Sequence, residues 1–288
     1  DSKTKAIFCE SVGNPLGNVT DIEKLAKIAH AHGIPLIVDN TVPTSYLCRP
    51  FEFGADIVVY ALTKSMNGHG NSLGGCIVDS GKFPWKEHKE KFKRLNEPDV
   101  SYHGVVYTEA FGDAAYIGRA RVVPLRNMGG ALSPMNSFLI LQGIETLPLR
   151  MDRTCENALA IAKFLNDHPK VSWVNCAALP DHRDHALLQK YMNGKAPSLL
   201  SFGVKPSGSM SAREAGAKVL DGFKLFTRLV NIGDARSLAT HSASKTHRQL
   251  STEELKKAGV SEDMLRLSIG LENADDLIAD LDQALAQI

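Results

Sequence analysis

Four short apolar runs lie within the first 80 residues, and their spacing restricts the fold more than any other feature of the chain. The runs are Ala6–Cys9, Ile34–Asp39, Ile57–Tyr60 and Cys76–Val78. Their length and β-branched residues are typical of buried strands. Between the first two, Thr20 is a candidate N-cap for a helix that ends at Gly33. Its predicted apolar face consists of Ile22, Leu25, Ala26, Ile28 and Ala29. One helix among four strands predicts an α/β domain.

Lys64 occupies an unusual position, shortly after the third of these runs. Lysines normally lie on solvated helix faces, whereas this one is followed by Gly68, Gly70, Gly74 and Gly75. Two uses of the amine fit such a position. It could bind an anion as a point charge, or it could form a Schiff base with a carbonyl group.

Asp39 ends the second run and is expected at the same edge of the sheet as Lys64. Open α/β sheets bind their ligands at the carboxyl ends of the strands, so the two side chains should share one crevice. A lysine that forms an aldimine and an aspartate that holds a protonated pyridine nitrogen are what pyridoxal phosphate requires. A structural ion pair between the two residues is the alternative.

Several short motifs extend this interpretation over most of the chain. They are segments 10–15 (Glu-Ser-Val-Gly-Asn-Pro), 39–41 (Asp-Asn-Thr), 63–64 (Thr-Lys), 68–70 (Gly-His-Gly) and 264–270 (Met-Leu-Arg-Leu-Ser-Ile-Gly). In these motifs the chain resembles the Cys/Met-metabolism family of pyridoxal-phosphate-dependent enzymes, and most closely its O-acetylhomoserine sulfhydrylases. The segment from Phe83 to Arg126 has no strong periodicity. It resembles an insertion that separates these sulfhydrylases from cystathionine-handling relatives.

The resemblance implies a fold-type I, aspartate aminotransferase-like α/β architecture. Residues 1–132 would form the C-terminal part of a large cofactor-binding domain with a mostly parallel sheet, and residues 133–288 a small α+β domain. Ser133 and Pro134 mark the boundary because they suit the start of a helix. Later helices are predicted near 154–165, 211–223, 252–257 and 273–285, and strands at 171–174, 199–204 and 264–268.

Family members also have a further segment before the residue that matches Asp1. The resemblance therefore implies that the N-terminal part is lacking here. In the family, that part contains an aromatic residue that stacks on the cofactor and the main phosphate-binding turn. We expect the chain by itself to retain the cofactor weakly, to self-associate and to be a poor enzyme.

The activity implied by the resemblance is γ-replacement on O-acetyl-L-homoserine. Sulfide or a thiol would displace acetate and give L-homocysteine or methionine. Loss of a group from Cγ requires protons to leave both Cα and Cβ, and Lys64 is the candidate base for both. Cystathionine γ-synthase, cystathionine γ-lyase and methionine γ-lyase of the same family are alternatives. A non-catalytic fragment or subunit is the alternative from another class.

The same resemblance assigns the cofactor-binding residues one by one: Lys64, Asp39, Asn14, Thr41 and Thr63. Family members use the asparagine that matches Asn14 near the oxygen of the cofactor ring, and the threonine that matches Thr63 at the phosphate. From its own surroundings, Asn14 could equally be a turn residue before proline.

Arg266 and Ser237 are the residues implied to bind the substrate. The matching arginine of the family clamps the α-carboxylate, which suits the forked geometry of a guanidinium. From the strand pattern alone, Arg266 would be a solvated residue on the face of the strand opposite to Leu265 and Leu267. His69 is expected to be structural rather than catalytic, and His247 fits either role.

Three positions depart from the family pattern. Ala61 replaces a serine that binds the cofactor phosphate, Asn67 replaces a glycine, and Lys245 replaces a threonine. Thr63 is then the only phosphate ligand implied within this chain. These departures bear on phosphate affinity and on substrate preference.

Composition excludes several other classes of protein. The net charge of +1 with interspersed signs gives neither a basic stripe for nucleic acid nor a polybasic tail for membranes. No apolar run approaches the roughly 18 residues of a membrane span, and no signal peptide is evident, which indicates a cytoplasmic protein. The five scattered cysteines suggest neither disulfides nor a metal site. The resemblance implies a homo-oligomer, a dimer of dimers.

Overall fold

The first sheet of the described residues has four strands. A computed structural model describes residue 1, residues 3–241 and residues 260–288. The strands of this sheet are, in spatial order, β1 (Ile7–Glu10), β2 (Leu36–Asp39), β3 (Ile57–Ala61) and β4 (Gly75–Asp79). Strands β1, β2 and β3 are parallel, and β4 is antiparallel to β3. The four predicted strands and the mostly parallel sheet are confirmed.

The second sheet lies in the C-terminal half. Its strands in chain order are β5 (Val171–Asn175), β6 (Leu199–Val204), β7 (Thr227–Arg228), β8 (Leu238–His241) and β9 (Met264–Ser268). The spatial order is β5-β6-β9-β8-β7, and only the β7–β8 pair is parallel. Strand β9 is therefore central. Arg266 on it lies opposite Ser201 of β6 and Thr240 of β8.

Helices connect and cover the two sheets. The α-helices of the described residues are α1 (Ile22–Ala31), α2 (Thr44–Leu47), α3 (Lys93–Asn96), α4 (Tyr107–Ala110), α5 (Ala115–Ala120), α6 (Arg126–Met128), α7 (Pro134–Glu145), α8 (Leu147–Asp167), α9 (His185–Met192), α10 (Ala212–Gly222) and α11 (Ala274–Leu285). There are also 3₁₀ turns at Pro50–Phe53 and Gly112–Ala114 and a π-helical turn at Arg121–Leu125. The helices predicted near 211–223 and 273–285 are confirmed as α10 and α11. The helix predicted at 252–257 lies outside the described residues.

Helix α1 begins one residue later than predicted. Its N-cap is Asp21, whose Oδ1 accepts a hydrogen bond from the backbone N–H of Lys24 at 3.2 Å. Thr20 does not cap the helix because its hydroxyl donates to the carbonyl of Glu10 instead, at 2.6 Å. Ile28 was also wrongly assigned to the buried face, since 43% of it is exposed. Gly33 ends the helix as predicted, with φ +59°.

Helices α7 and α8 meet at a corner that lies close to Lys64. Ser133 caps α7 by accepting from the N–H of Asn136 at 3.1 Å, and Pro134 is its first residue, as predicted. Helix α8 is much longer than the predicted 154–165. It begins at Leu147. Pro148 fits its first turn because the N–H groups there have no partner within the helix, so the missing N–H of proline costs nothing.

The segment from Phe83 to Arg126 forms short helical turns held by aromatic contacts. The Trp85 ring stacks on Tyr116 with centroids 5.7 Å apart, and it meets Phe92 edge-on at 5.0 Å. These side chains pack with Ile57 of β3, so the segment covers one face of the first sheet. Aromatic packing explains why no regular periodicity was visible in the sequence.

One hydrophobic core runs through both halves of the chain. Its buried side chains come from the first sheet and α1, from α8, and from β6 and α11, with Val38, Ile161, Leu200 and Leu281 as fully buried examples. The division at residues 132 and 133 stays a prediction. All five cysteines are free, and Cys48, Cys155 and Cys176 are buried. Within the described residues, no helix is both long enough and apolar enough to cross a membrane.

Candidate active site

The carboxyl ends of β2 and β3 bring Asp39 and the segment of Lys64 to one edge of the first sheet. The strands are parallel, with Asp39 opposite Val59 in register, and Lys64 follows the last residue of β3 by three positions. Thr41 ties the two strand ends together. Its hydroxyl oxygen accepts from the N–H of Ala61 at 2.8 Å, and its own N–H donates to Oδ1 of Asp39 at 2.9 Å. Thr41 thus links the ends of β2 and β3, and the shared crevice of Asp39 and Lys64 stays a prediction.

A tight turn positions Lys64 at the end of β3. The backbone N–H of Lys64 donates to the carbonyl of Ala61 at 3.1 Å, and the N–H of Gly68 donates to the carbonyl of Lys64 at 2.8 Å. Gly68 has φ +75°, a conformation that side chains with a Cβ rarely adopt. Gly68 therefore permits the chain to reverse directly after the lysine.

The amine of Lys64 is partly buried and has one side-chain partner among the described residues. It donates to Oδ1 of Asn231. Burial lowers the pKa of the Lys64 amine, and the positive charge of Arg266 lowers it further. A lowered pKa increases the neutral fraction near neutral pH, which is the form that attacks a carbonyl or accepts a proton.

Arg266 is held beside Lys64 by two oxygen acceptors. Its Nη1 donates to Oδ1 of Asn14 at 3.0 Å, and its Nη2 donates to the carbonyl of Asn231 at 3.0 Å. Within the described residues its Nε, although buried, has no partner, and no acidic side chain is paired with the guanidinium. Burial lowers the pKa of Arg266. A buried guanidinium with unused donors is suited to bind a carboxylate from a ligand.

Asn231 is the residue of this cluster that the sequence analysis missed. It contacts both basic groups, Lys64 through its side chain and Arg266 through its backbone. The available signal was a single amide within the apolar run Leu229-Val-Asn-Ile232. Such a residue resembles an ordinary loop asparagine until the fold brings it to the end of β3.

A cavity of about 510 Å³ opens at this cluster. Its lining residues are Thr63, Lys64, Gly70, Asn71, Ser72, Leu73, Asn136 and Asn231. A larger cavity of about 680 Å³ lies beside β5 and includes Trp173 and His182, but none of the predicted site residues line it. We therefore identify the candidate site by its reactive groups rather than by cavity size.

Thr63 and Ser237 make contacts within the chain that differ from their predicted roles. The hydroxyl of Thr63 bonds the backbone of Gly74, accepting from its N–H at 3.1 Å. Ser237 is completely buried, donates to Glu272 at 2.8 Å and accepts from the N–H of Gly270 at 2.9 Å. No contact joins Ser237 to Lys64 or Arg266 within the described residues. Both ligand roles stay predictions.

His69 bonds locally, while two other sequence candidates cannot be described. The ring nitrogen Nδ1 of His69 lies 2.5 Å from the carbonyl of Asn67, which agrees with a structural role. Lys245 and His247 lie outside the described residues. Among residues 3–241 and 260–288, no group of His, Cys, Asp and Glu side chains is arranged to hold a metal ion.

The donor set fits pyridoxal phosphate at two of the three parts of that molecule. The Lys64 amine, with its lowered pKa, suits the aldehyde. The carboxylate of Asp39 at the end of β2 suits the pyridine nitrogen. For the phosphate, Thr63 is the candidate hydrogen-bond donor, and Ala61 has no side-chain donor to add. The residues present therefore support the cofactor through its ring and aldehyde more than through its phosphate.

Comparisons with known proteins agree with this chemistry. The model of the family of Cys/Met metabolism PLP-dependent enzymes matches residues 1–286. A homocysteine synthase of Schizosaccharomyces pombe is 48% identical over 286 residues, and an O-acetyl-L-homoserine sulfhydrylase of Leptospira meyeri is 46% identical over 297. These matches cover 99% and 100% of this chain. The chain spans 66% of the length of each of these two relatives.

A solved structure of an O-acetylhomoserine (thiol)-lyase from Campylobacter jejuni has the same fold. It is 42% identical, with a TM-score of 0.92, and the match covers 99% of this chain and 67% of that one. That protein carries a pyridoxyl-lysine phosphate. The similarity therefore extends over both sheets described above.

Proposed function

The chain belongs to the Cys/Met metabolism family of pyridoxal-phosphate-dependent enzymes, and from this premise we propose that the whole protein catalyses γ-replacement on O-acetyl-L-homoserine. Sulfide or a small thiol displaces acetate and gives L-homocysteine or methionine. The observation that carries the proposal is the meeting of the Lys64 amine and the Arg266 guanidinium at Asn231. In this proposal the Lys64 amine transfers protons and the Arg266 guanidinium binds a carboxylate.

Five residues are proposed to hold the cofactor: Lys64, Asp39, Asn14, Thr41 and Thr63. When bound, pyridoxal phosphate supplies an electron sink for carbanion chemistry at the amino-acid substrate. Lys64 is the proposed attachment point, and the carboxylate of Asp39 accepts the proton-bearing pyridine nitrogen as its partner. Thr63 contributes a hydroxyl at the phosphate.

Lys64 is proposed as the base that moves protons at the substrate. Loss of acetate from Cγ requires a proton to leave Cα and another to leave Cβ, and these carbons are neighbours. A single amine on a flexible side chain can serve both positions. Burial and Arg266 keep the pKa of Lys64 below its usual value, so that the amine is ready to accept a proton.

Arg266 is proposed to bind the α-carboxylate of the substrate. Its charge is already desolvated, and its Nε lacks a partner within the described residues, so a carboxylate gains strong hydrogen bonds at little further cost. Asn231 accepts a hydrogen bond from each of these two basic groups. A substrate bound through its carboxylate at Arg266 would present its Cα to Lys64 in this proposal.

The relatives named as homocysteine synthase and O-acetyl-L-homoserine sulfhydrylase support this substrate over the lyase alternatives. The chain spans less than two thirds of the length of those relatives, so this activity is proposed for the whole protein. We also propose that sulfide is the donor, that the protein is cytosolic and that it assembles as a homotetramer.

The test is a product assay with matched substrates. The purified protein with its cofactor should release acetate and form homocysteine from O-acetyl-L-homoserine and sulfide. Cystathionine and methionine, offered under the same conditions without sulfide, should react much more slowly. Faster cleavage of either would favour the corresponding γ-lyase, and a protein without a borohydride-sensitive visible absorbance would indicate a non-catalytic subunit.

A further inference from the structure

Arg150 is a buried basic residue of α8 to which the proposed reaction assigns no role. Its side chain is 8% exposed, and burial lowers the pKa of its guanidinium. No acidic side chain of the described residues is paired with it. A buried charge without a counter-charge is costly unless its hydrogen bonds are well satisfied. The contacts of Arg150 therefore indicate what it does.

All three nitrogens of the guanidinium donate to oxygens of the chain. Nη1 donates to the carbonyl of Ser65 at 2.7 Å, and Nη2 donates to the carbonyl of Met66 at 3.2 Å. Nη2 also donates to the carbonyl of Gly143 at 2.6 Å, and Nε donates to the hydroxyl of Thr146 at 3.2 Å. Arg150 thus fastens the α7–α8 corner to the two residues that directly follow Lys64.

Two glycines allow this close approach. A Cβ at Gly68 would lie 2.1 Å from Nη1 of Arg150, and a Cβ at Gly143 would lie 2.2 Å from the carbonyl oxygen of Asn67. The corner therefore packs directly on the main chain of residues 65–68. On the other side of the turn, the N–H of Ala235 donates to the carbonyl of Gly68 at 2.8 Å. The turn is held from both sides.

We propose that Arg150 is a positioning residue for Lys64, because it fixes the main chain of Ser65 and Met66 and thereby the direction in which the amine leaves the end of β3. Its effect on turnover rests on the proposed function, which requires that amine at one place. Arg150 makes no contact with Arg266 or Asn14. Substrate binding through Arg266 should therefore be independent of it.

The test compares Arg150→Lys with Arg153→Lys, a change of the same kind at an exposed position of α8. Lysine keeps the charge but cannot reach both carbonyls at once. The first readout is the pH dependence of Lys64 acetylation in the full protein freed of cofactor, followed by peptide mass mapping. Lys27, whose side chain is 74% exposed, serves as the internal reference.

In Arg150→Lys the pH midpoint of Lys64 acetylation should rise towards that of Lys27. The released amine gains contact with solvent and moves away from Arg266, which is the charged group that faces it among the described residues. Arg153→Lys should leave the midpoint unchanged. A folded Arg150→Lys protein with the original midpoint overturns the proposal. This readout does not depend on the reaction catalysed.

The second readout is turnover of the enzyme with its cofactor. In Arg150→Lys, kcat should fall about 10- to 100-fold while KM changes less than about threefold, because small misplacements of a reacting group are costly. If the unaltered protein does not act on O-acetyl-L-homoserine, the proposed function fails while the acetylation result still decides the role of Arg150. Equal losses of kcat in both variants would overturn the positioning role.

A further variant covers the case in which Arg150→Lys does not fold. Thr146→Val removes the acceptor of Nε, together with the hydroxyl's own bond to the carbonyl of Gly143 at 3.4 Å, and leaves the bonds of Arg150 to Ser65 and Met66 in place. It should raise the acetylation midpoint of Lys64 by a smaller amount. An unchanged midpoint in this variant would then overturn the proposal.

Discussion

Arg266 donates a hydrogen bond to the side-chain oxygen of Asn14 at 3.0 Å, although the two residues are 252 positions apart in the chain. Asn14 follows β1 in the first sheet, and Arg266 lies on the central strand β9 of the second. The contact holds the guanidinium at the carboxyl edge of the first sheet, where Lys64 lies. The two sheets therefore each contribute one basic group to the candidate site.

Replacing Arg266 by lysine should weaken catalysis without removing the cofactor. Lysine keeps the charge but loses the fork that binds a carboxylate with two hydrogen bonds. We expect kcat/KM to fall by about one to two decades, roughly 1.5 to 3 kcal/mol. Steady-state kinetics on O-acetyl-L-homoserine measure this, and the visible absorbance of the cofactor should persist.

The matched control is Arg228→Lys. Arg228 forms a surface ion pair with Asp221, and its side chain is 46% exposed, so this change should leave kcat/KM within about twofold of the unaltered enzyme. An Arg266→Lys enzyme with kinetics equal to those of the control would rule out the carboxylate role.

Substitutions of Asn231 should move the pKa of Lys64 in opposite directions. Asn231→Asp puts a negative charge at the amine, favours its protonated form and should raise the pKa of Lys64. Asn231→Ala removes an acceptor for the protonated amine and should lower the pKa further. The pH midpoint of Lys64 acetylation, with Lys27 as reference, measures both. Shifts of the same sign in the two variants would contradict the direct contact.

Regular elements of the fold were predictable because each has a local cause. The strand at Leu199–Val204 was predicted at its observed bounds from a short, mainly apolar run, and all six of its residues are buried in the structure. Helix α11 is capped by Asn273 and ends at Leu285 as expected. Prediction failed at α1, where Thr20 and Asp21 are both suitable caps and a contact with Glu10 decided between them.

The candidate site was only half predictable. Asp39, the last residue of β2, and Lys64, three residues beyond β3, are signalled by their positions near strand ends, which is a local property. Asn231 and Arg150 are not signalled locally, because each acts through a distant residue. Asn231 contacts Lys64, 167 positions away, and Arg150 contacts Ser65, 85 positions away. No local pattern distinguishes such residues from an ordinary loop asparagine or helix arginine. Ser237 was predicted from the resemblance alone; its hydroxyl is bound to Glu272 and Gly270, and its substrate role stays a prediction.

Asp280 should be among the most costly acidic side chains to remove from the C-terminal half of the chain. It is buried and accepts hydrogen bonds from three successive backbone N–H groups, those of Lys224, Leu225 and Phe226. Asp280→Ala leaves these donors without a partner and should reduce the free energy of unfolding by about 2–4 kcal/mol. Asp282→Ala, two residues on and 66% exposed, is the control and should cost less than about 1 kcal/mol. Denaturant unfolding compares the two, and equal losses would contradict the role of the three N–H groups.

Lys64 should be the residue that carries the cofactor. Among the described lysines it is the one whose pKa is lowered, by burial and by Arg266, and it lies at the end of β3 beside the cavity of about 510 Å³. Borohydride reduction of the protein with its cofactor should abolish the visible absorbance, and peptide mass mapping should find the pyridoxyl group on Lys64. Lys64→Arg keeps a positive charge but has no primary amine, so reduction should leave no label on this peptide. A pyridoxyl group on another lysine of the unaltered protein would refute the assignment, together with the proton-transfer role that depends on it.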